Sequence, residues 1–180
     1  MKNIFRKNWG HIVVWTLMFL FFISAPRLHS KLFLDQGKPI QFDSDLPKST
    51  PEGQFALMGL DSMRFDGEDV YQLWGWAFLT RDPTVNQIDY ERTLVLKSDS
   101  HVYFFPITTT PTRNVQETFN TLDLDLTNTW FYTLIAKDFI SLGRYRVGII
   151  FEHHTEGTSF YLKTNGVIIR TPNHLVLETK

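Results

Sequence analysis

The chain contains no cysteine, so it can build neither a disulfide framework nor a thiolate nucleophile nor a cysteine-ligated metal site. It also contains no Asn-x-Ser/Thr acceptor. For an exported domain, these two absences point to a bacterial envelope rather than to a higher eukaryote. There is no Gly-rich phosphate loop, no Gly-x-Ser-x-Gly elbow, no internal repeat and no low-complexity tract, so none of the motif-borne nucleotide or acyl-transfer chemistries has a foothold. Clustered basic residues are missing from the larger part of the chain. Residues 51–180 hold eleven Lys/Arg against sixteen Asp/Glu, a balance that does not displace counterions from nucleic-acid phosphates.

What is present is apolar and aromatic. The 180 residues include 16 Phe, 6 Tyr and 5 Trp, a composition suited to pleated, half-buried strands. The longest apolar run is Trp9 to Ala25, interrupted only by His11, Thr16 and Ser24. As a helix it spans about 25 Å, near the short limit for crossing hydrocarbon. Lys2, Arg6 and Lys7 precede it and Arg27 and Lys31 follow, a bias that puts the N-terminus in the cytoplasm and the bulk of the chain outside. A cleaved signal peptide is the alternative. The only plausible junction, Ile23-Ser24-Ala25, lacks a small residue three positions back and is followed by Pro26, so a retained single-pass anchor is favoured.

The expected organisation is a cytoplasmic N-terminus over 1–8, a transmembrane signal-anchor helix over 9–25, a Pro-containing stalk over 26–51 and an extracytoplasmic β-domain over 52–180. Pro26, Pro39, Pro47 and Pro51 remove backbone donors along the stalk, which has room for one short strand at Ile40–Phe42. Beyond it, short apolar runs alternate with turn residues. Strands are predicted at Gln54–Phe65, Val70–Leu79, Arg92–Lys97, His101–Ile107, Trp130–Ala136, Arg144–Glu152, Ser159–Thr164, Val167–Thr171 and His174–Thr179. Asp66-Gly67, Asp99-Ser100, Glu156-Gly157 and Asn165-Gly166 supply hairpin chemistry between them. Only Arg113–Phe119 has helical character. In Arg144–Glu152, Tyr145, Val147, Ile149 and Phe151 share one face.

Leu142-x-x-Tyr145-x-Val147-x-Ile149, with Gly143 two before the tyrosine, resembles the tyrosine-corner strand of immunoglobulin-like and fibronectin type III sandwiches. The resemblance implies an antiparallel Ig-like β-sandwich in which the Tyr145 hydroxyl bonds back to the chain. It also implies a buried indole, for which the Trp74-Gly75-Trp76 strand is the candidate. The similarity covers roughly Val70 to Phe151 and extends to modules of bacterial surface and glycan-assembly proteins, a class that implies binding or scaffolding and carries no catalytic residues across.

Candidate reactive groups each have a simpler reading. Glu152-His153-His154-Thr155-Glu156 has the composition of a zinc site, but neighbours on a strand point to opposite faces, so an exposed hairpin tip is preferred. Asp61, Asp66, Glu68 and Asp69 lack the alternating spacing of a calcium loop and read as an acidic turn. Asp123 and Asp125 stand about 7 Å apart along an extended segment, a separation glycoside hydrolysis uses, though a solvated edge produces the same pattern. The chain is therefore read as a non-enzyme without metal or cofactor. On Val70–Leu79, alternation sends Trp74, Trp76 and Phe78 to one face and Tyr71, Leu73 and Ala77 to the other. This aromatic ledge is the candidate binding surface. The expected function is a membrane-anchored binding or scaffold subunit of a cell-envelope assembly with a protein partner. A membrane-tethered carbohydrate-binding module and a cleaved, secreted β-sandwich protein are the alternatives.

Overall fold

The computed structural model describes residues 2–41, 46–47, 52–65, 67–80, 87–112, 114–122 and 124–179, with the side chains at 2–12, 26, 27, 29, 30, 33, 65 and 88 set aside. A long helix α1 (Lys2–Gln36) leads into nine strands. These are β1 (Gly53–Phe65), β2 (Glu68–Leu79), β3 (Tyr90–Lys97), β4 (Val102–Pro106), β5 (Thr108–Thr110), β6 (Trp130–Ala136), β7 (Gly143–His153), β8 (Ser159–Arg170) and β9 (Leu175–Glu178), with a short α2 (Asn114–Thr118) before β6. All pairings are antiparallel and make two sheets, β1-β2-β6-β5 and β4-β3-β7-β8-β9. The fold is a β-sandwich.

Strand periodicity explains the core. Leu73 and Ala77 of β2, Phe131 and Ile135 of β6, and Val147, Ile149 and Phe151 of β7 all turn inward and are buried, as residues two apart on a pleated strand must. The β1–β2 hairpin closes with Gly67 at φ 87°, a left-handed conformation that glycine adopts without steric cost. Tyr145 is 1% exposed, and its hydroxyl donates to the Ser141 carbonyl at 2.8 Å. Burial and the neighbouring Tyr103 hold the Tyr145 phenol above its ordinary pKa. Tyr145→Phe is expected to destabilise the protein by about 1–2 kcal/mol, because the buried tyrosine gives up the hydrogen bond that ties it to Ser141. Val147→Ala is expected to cost more, since it opens a cavity. Unchanged urea midpoints for both would remove this corner from the account of stability.

The structure departs from the sequence reading in four places. Asn165-Gly166 does not end a strand, because β8 runs through it with a register shift opposite Arg146–Gly148. Thr164 donates to the Val147 carbonyl at 2.8 Å and accepts from the Gly166 amide at 3.1 Å, so the turn chemistry makes a bulge rather than a hairpin. Strand β5, a run of three threonines with no apolar alternation, was not expected. It forms because the chain leaves β4 at Pro106, whose carbonyl accepts from the Thr133 hydroxyl at 2.8 Å, and crosses to β6. Neither Trp74 nor Trp76 supplies a core indole. Both lie half-buried on the outer face of their sheet, because Leu73 and Ala77 occupy the inward positions.

The fourth departure concerns the segment 26–51. It is helical as far as Gln36 and then lies against the sandwich. Leu34 packs on Val70, Leu134 and Ala136, the Gly37 carbonyl accepts from the Ala136 amide at 2.7 Å, and the Ile40 amide donates to the Phe104 carbonyl at 2.8 Å. Leu46 then covers Val95, Ile150 and Tyr161 on the far sheet. The expected strand at Ile40–Phe42 is present as this single bridge at Ile40, Phe42 being outside the described residues. These contacts form because the tail end of the segment carries apolar side chains that two outer sheet faces leave uncovered.

Candidate binding face

The outer face of the β1-β2-β6-β5 sheet is apolar toward its two ends, where it is covered, and carries Asp61 and Gln72 between them. At one end Met63, Val70, Leu134 and Ala136 meet Leu34 of α1. At the other, residues 115–122 and 124–126 fold down over Trp76, Phe78 and Trp130, bringing Val115, Phe119 and Leu126 into contact with them. That cover is tied by Gln116, whose amide donates to the Leu124 carbonyl at 3.0 Å and accepts from the Leu126 amide at 2.6 Å.

These covers divide the expected ledge. Phe78 is fully buried, with the Phe119 ring edge-on at 5.3 Å, and so belongs to the interior. Trp76 is half-buried, stacked on Phe78 at 5.7 Å and edge-on to Phe119 at 5.1 Å. Trp74 remains at the surface between the two covers, half-buried, with its indole N–H donating to the Asp61 carboxylate at 3.0 Å. Its ring lies over Gly59, where any Cβ would fall 2.6 Å from the indole nitrogen, so a side chain at 59 would push the indole away. The cross-strand partner of Trp74 is Tyr132, and Trp130 lies 5.6 Å away, centroid to centroid. The candidate face is therefore Trp74 with Tyr132 beside it, Trp130 at the border of the second cover and Asp61 at the edge. The sequence alone gives Trp130 and Tyr132 no mark as site residues. Their spacing on one strand put them on a common face, but only the β2–β6 register sets them beside Trp74.

The other candidates are dispersed. Asp61 serves Trp74, while Asp69 binds the buried Lys137 ammonium at 2.7 Å. That hydrogen bond holds its carboxyl below the usual carboxylate pKa against a smaller desolvation effect. Asp66 and Asp123 lie outside the described residues. Asp125 accepts from the Thr127 hydroxyl and amide, which lower its pKa, the arrangement of a local turn. His153 turns its Nδ1 to the Thr155 and Glu156 amides, capping the β7–β8 hairpin. Among the described residues no three His, Asp or Glu side chains gather as a metal site requires. One buried cation stands out: Arg92 is 3% exposed and donates to the Gln87 and Asn128 carbonyls, both at 2.9 Å. Its guanidinium sits 5.4 Å from the Phe151 ring centre, and burial brings its pKa down to about 10. It braces two loop carbonyls at the end of the core.

Comparison with family models, with curated proteins and with solved structures finds no match for this chain.

Proposed function

We propose that the chain is a membrane-anchored, extracytoplasmic binding or scaffold subunit of a bacterial envelope assembly, non-catalytic, with an Ig-like sandwich as its outer part. The observation that carries the anchor is the exposure of α1. Trp15, Leu17, Phe19, Leu20, Phe21 and Phe22 are 56–70% exposed, and these positions take in every side of the helix, so no single stripe faces the sandwich. The helix meets the domain through Leu34 in its last turn. Thirteen apolar-rich positions from Val13 rise about 20 Å, and among the described residues no helix is long and apolar enough to cross a membrane. The run continues toward Trp9 in the sequence, which is what the anchor requires.

Two features support the rest. The strand order β1-β2-β6-β5 against β4-β3-β7-β8, with β9 added at the edge, matches the order in which Ig-type sandwiches arrange their strands, with the tyrosine corner leading into the strand equivalent to β7. The Trp74–Trp130–Tyr132 face offers a flat apolar surface with polar edges, suited to burial by a protein partner. A tethered carbohydrate-binding module is the second reading, favoured by the Asp61 carboxylate beside the Trp74 ring, since sugars stack on an indole and bond to an adjacent acid.

Extraction of the full chain in mild detergent, with identification of co-purifying proteins, tests the first reading. A partner lost on Trp74→Ala is expected. Retention of soluble glycan by the purified chain, without any protein partner, would favour the second. An intact mass starting near Pro26, from the soluble fraction, would remove the anchor.

A further inference from the structure

We propose that the end of the sandwich where α1 joins it is a lipid-docking face, with Phe139 and Leu142 entering the bilayer interface and Lys97 and Arg146 binding headgroup phosphates of anionic lipids. The inference rests on the anchored reading above and adds to it a second point of contact with the membrane.

Position comes first. The helix ends against Ala136, and the Lys38 ammonium beyond it lies 5.4 Å from the centre of the Phe139 ring. Phe139 is 41% exposed and Leu142 62%, both in the connection that carries the chain from β6 to β7 at this same end. The connection itself is seated on the sandwich, through Ile140 in the core and Lys137 on Asp69, yet Phe139 and Leu142 project from it, and exposed apolar side chains of this size suit burial elsewhere. The helical stretch 26–36 rises about 16 Å, of which the headgroup layer takes up about 6 Å. Leu28 and Leu32, each 60% exposed and one turn apart, favour tilting of the helix into the interface, which lowers the sandwich end toward the lipid.

Charge points the same way. Lys97 and Arg146 are direct cross-strand partners on β3 and β7, both exposed, and like charges facing each other on a sheet are unfavourable unless an anion joins them. With Ser98, Asp99, Ser100, Arg144 and Val167 they line one groove, in which the Lys97, Arg144 and Arg146 cations outnumber the single Asp99 carboxylate. Most acidic groups at this end are already engaged: Asp35 by Lys38, Asp69 by Lys137, Asp138 by Arg170 and Glu178 by Arg144. Among the described residues neither Lys97 nor Arg146 has an ion-pair partner. The acidic sandwich thus turns a cationic, apolar-tipped rim toward its own tether, where an anionic leaflet attracts it.

The absence of cysteine allows a single reporter. Leu142→Cys and, separately, Phe19→Cys would carry an environment-sensitive NBD label in the full chain. Each is reconstituted in phosphatidylcholine vesicles and in phosphatidylcholine–phosphatidylglycerol vesicles, with spin-labelled lipid as quencher. The Phe19 probe is expected to be quenched in both, and the Leu142 probe to shift blue and be quenched only with phosphatidylglycerol. Lys97→Gln and Arg146→Gln, which relieve a like-charge contact and so spare the fold, are expected each to lower the docked-to-undocked ratio about fivefold. A quenched Phe19 probe with Leu142 equally wet in both lipids would overturn docking and leave the anchor standing. An unquenched Phe19 probe would overturn the anchor and docking with it. Docking indifferent to both substitutions would overturn the role of the cations.

Discussion

Phe78→Ala is expected to lower the unfolding free energy by about 3–5 kcal/mol, as for other buried phenylalanines, read as a fall in the urea midpoint of the full chain in mild detergent. Although Phe78 projects from the outer face of its sheet, it has no exposed surface, because Val115, Phe119 and Leu126 enclose it. Removing its ring takes away the packing that holds this cover as well as the ring's own burial. Trp74→Ala is the contrasting change. Its ring is half-exposed and keeps one hydrogen bond, to Asp61, so the expected cost is about 1–2 kcal/mol, with loss of partner binding far out of proportion to it. Equal stability losses at the two positions would mean that the aromatic face is interior throughout. A Phe78→Ala loss below about 1 kcal/mol would mean that the cover is not seated.

Phe19→Asp combined with Phe22→Asp is expected to release the chain from carbonate-washed membranes. At the centre of a spanning helix each aspartate disfavours insertion by about 2.5–3.5 kcal/mol, so the pair amounts to roughly 6 kcal/mol, enough to shift partitioning by about four orders of magnitude. The choice of positions makes the experiment discriminating. Both side chains are more than 60% exposed, at 66% and 69%, so in a chain surrounded by water the same substitutions would disturb little beyond the Phe21–Phe22 edge contact and would improve solubility. A double variant that stays in the washed pellet would refute the anchor.

Much of the sandwich could be read along the chain because its strands obey a strict period. Trp130–Ala136 is found with its expected ends, and Arg144–Glu152 differs from β7 by one residue at each side. What escaped was non-local. β5 is three threonines, and nothing in them marks a strand until β6 supplies a neighbour. The Thr164–Gly166 bulge uses residues that close a hairpin elsewhere, and only the opposing Val147 carbonyl decides between the two outcomes. The apolar character of both faces of β2 was legible, but its cause was not, since Phe78 and Val70 are covered by segments far away in sequence. For the same reason the ledge of Trp74, Trp76 and Phe78 loses Phe78 to the interior and gains Trp130 and Tyr132 by register. Proline content suggested a free stalk over 26–51, whereas Leu34, Gly37, Ile40 and Leu46 find partners on both sheets.

The strapping of that segment to the sandwich sets what the tether can transmit. A flexible leash of about 25 residues would let a domain sweep a radius of roughly 28 Å and present any side to its surroundings. A helix that ends on Ala136 and continues as a belt to Phe104 acts as a bracket. The domain is carried at a set bearing to the helix axis, and a rotation of the helix turns the Trp74 face with it. A partner must then approach along one compass direction, and inserting a few glycines after Gln36 would convert the bracket into a leash while leaving every contact surface intact.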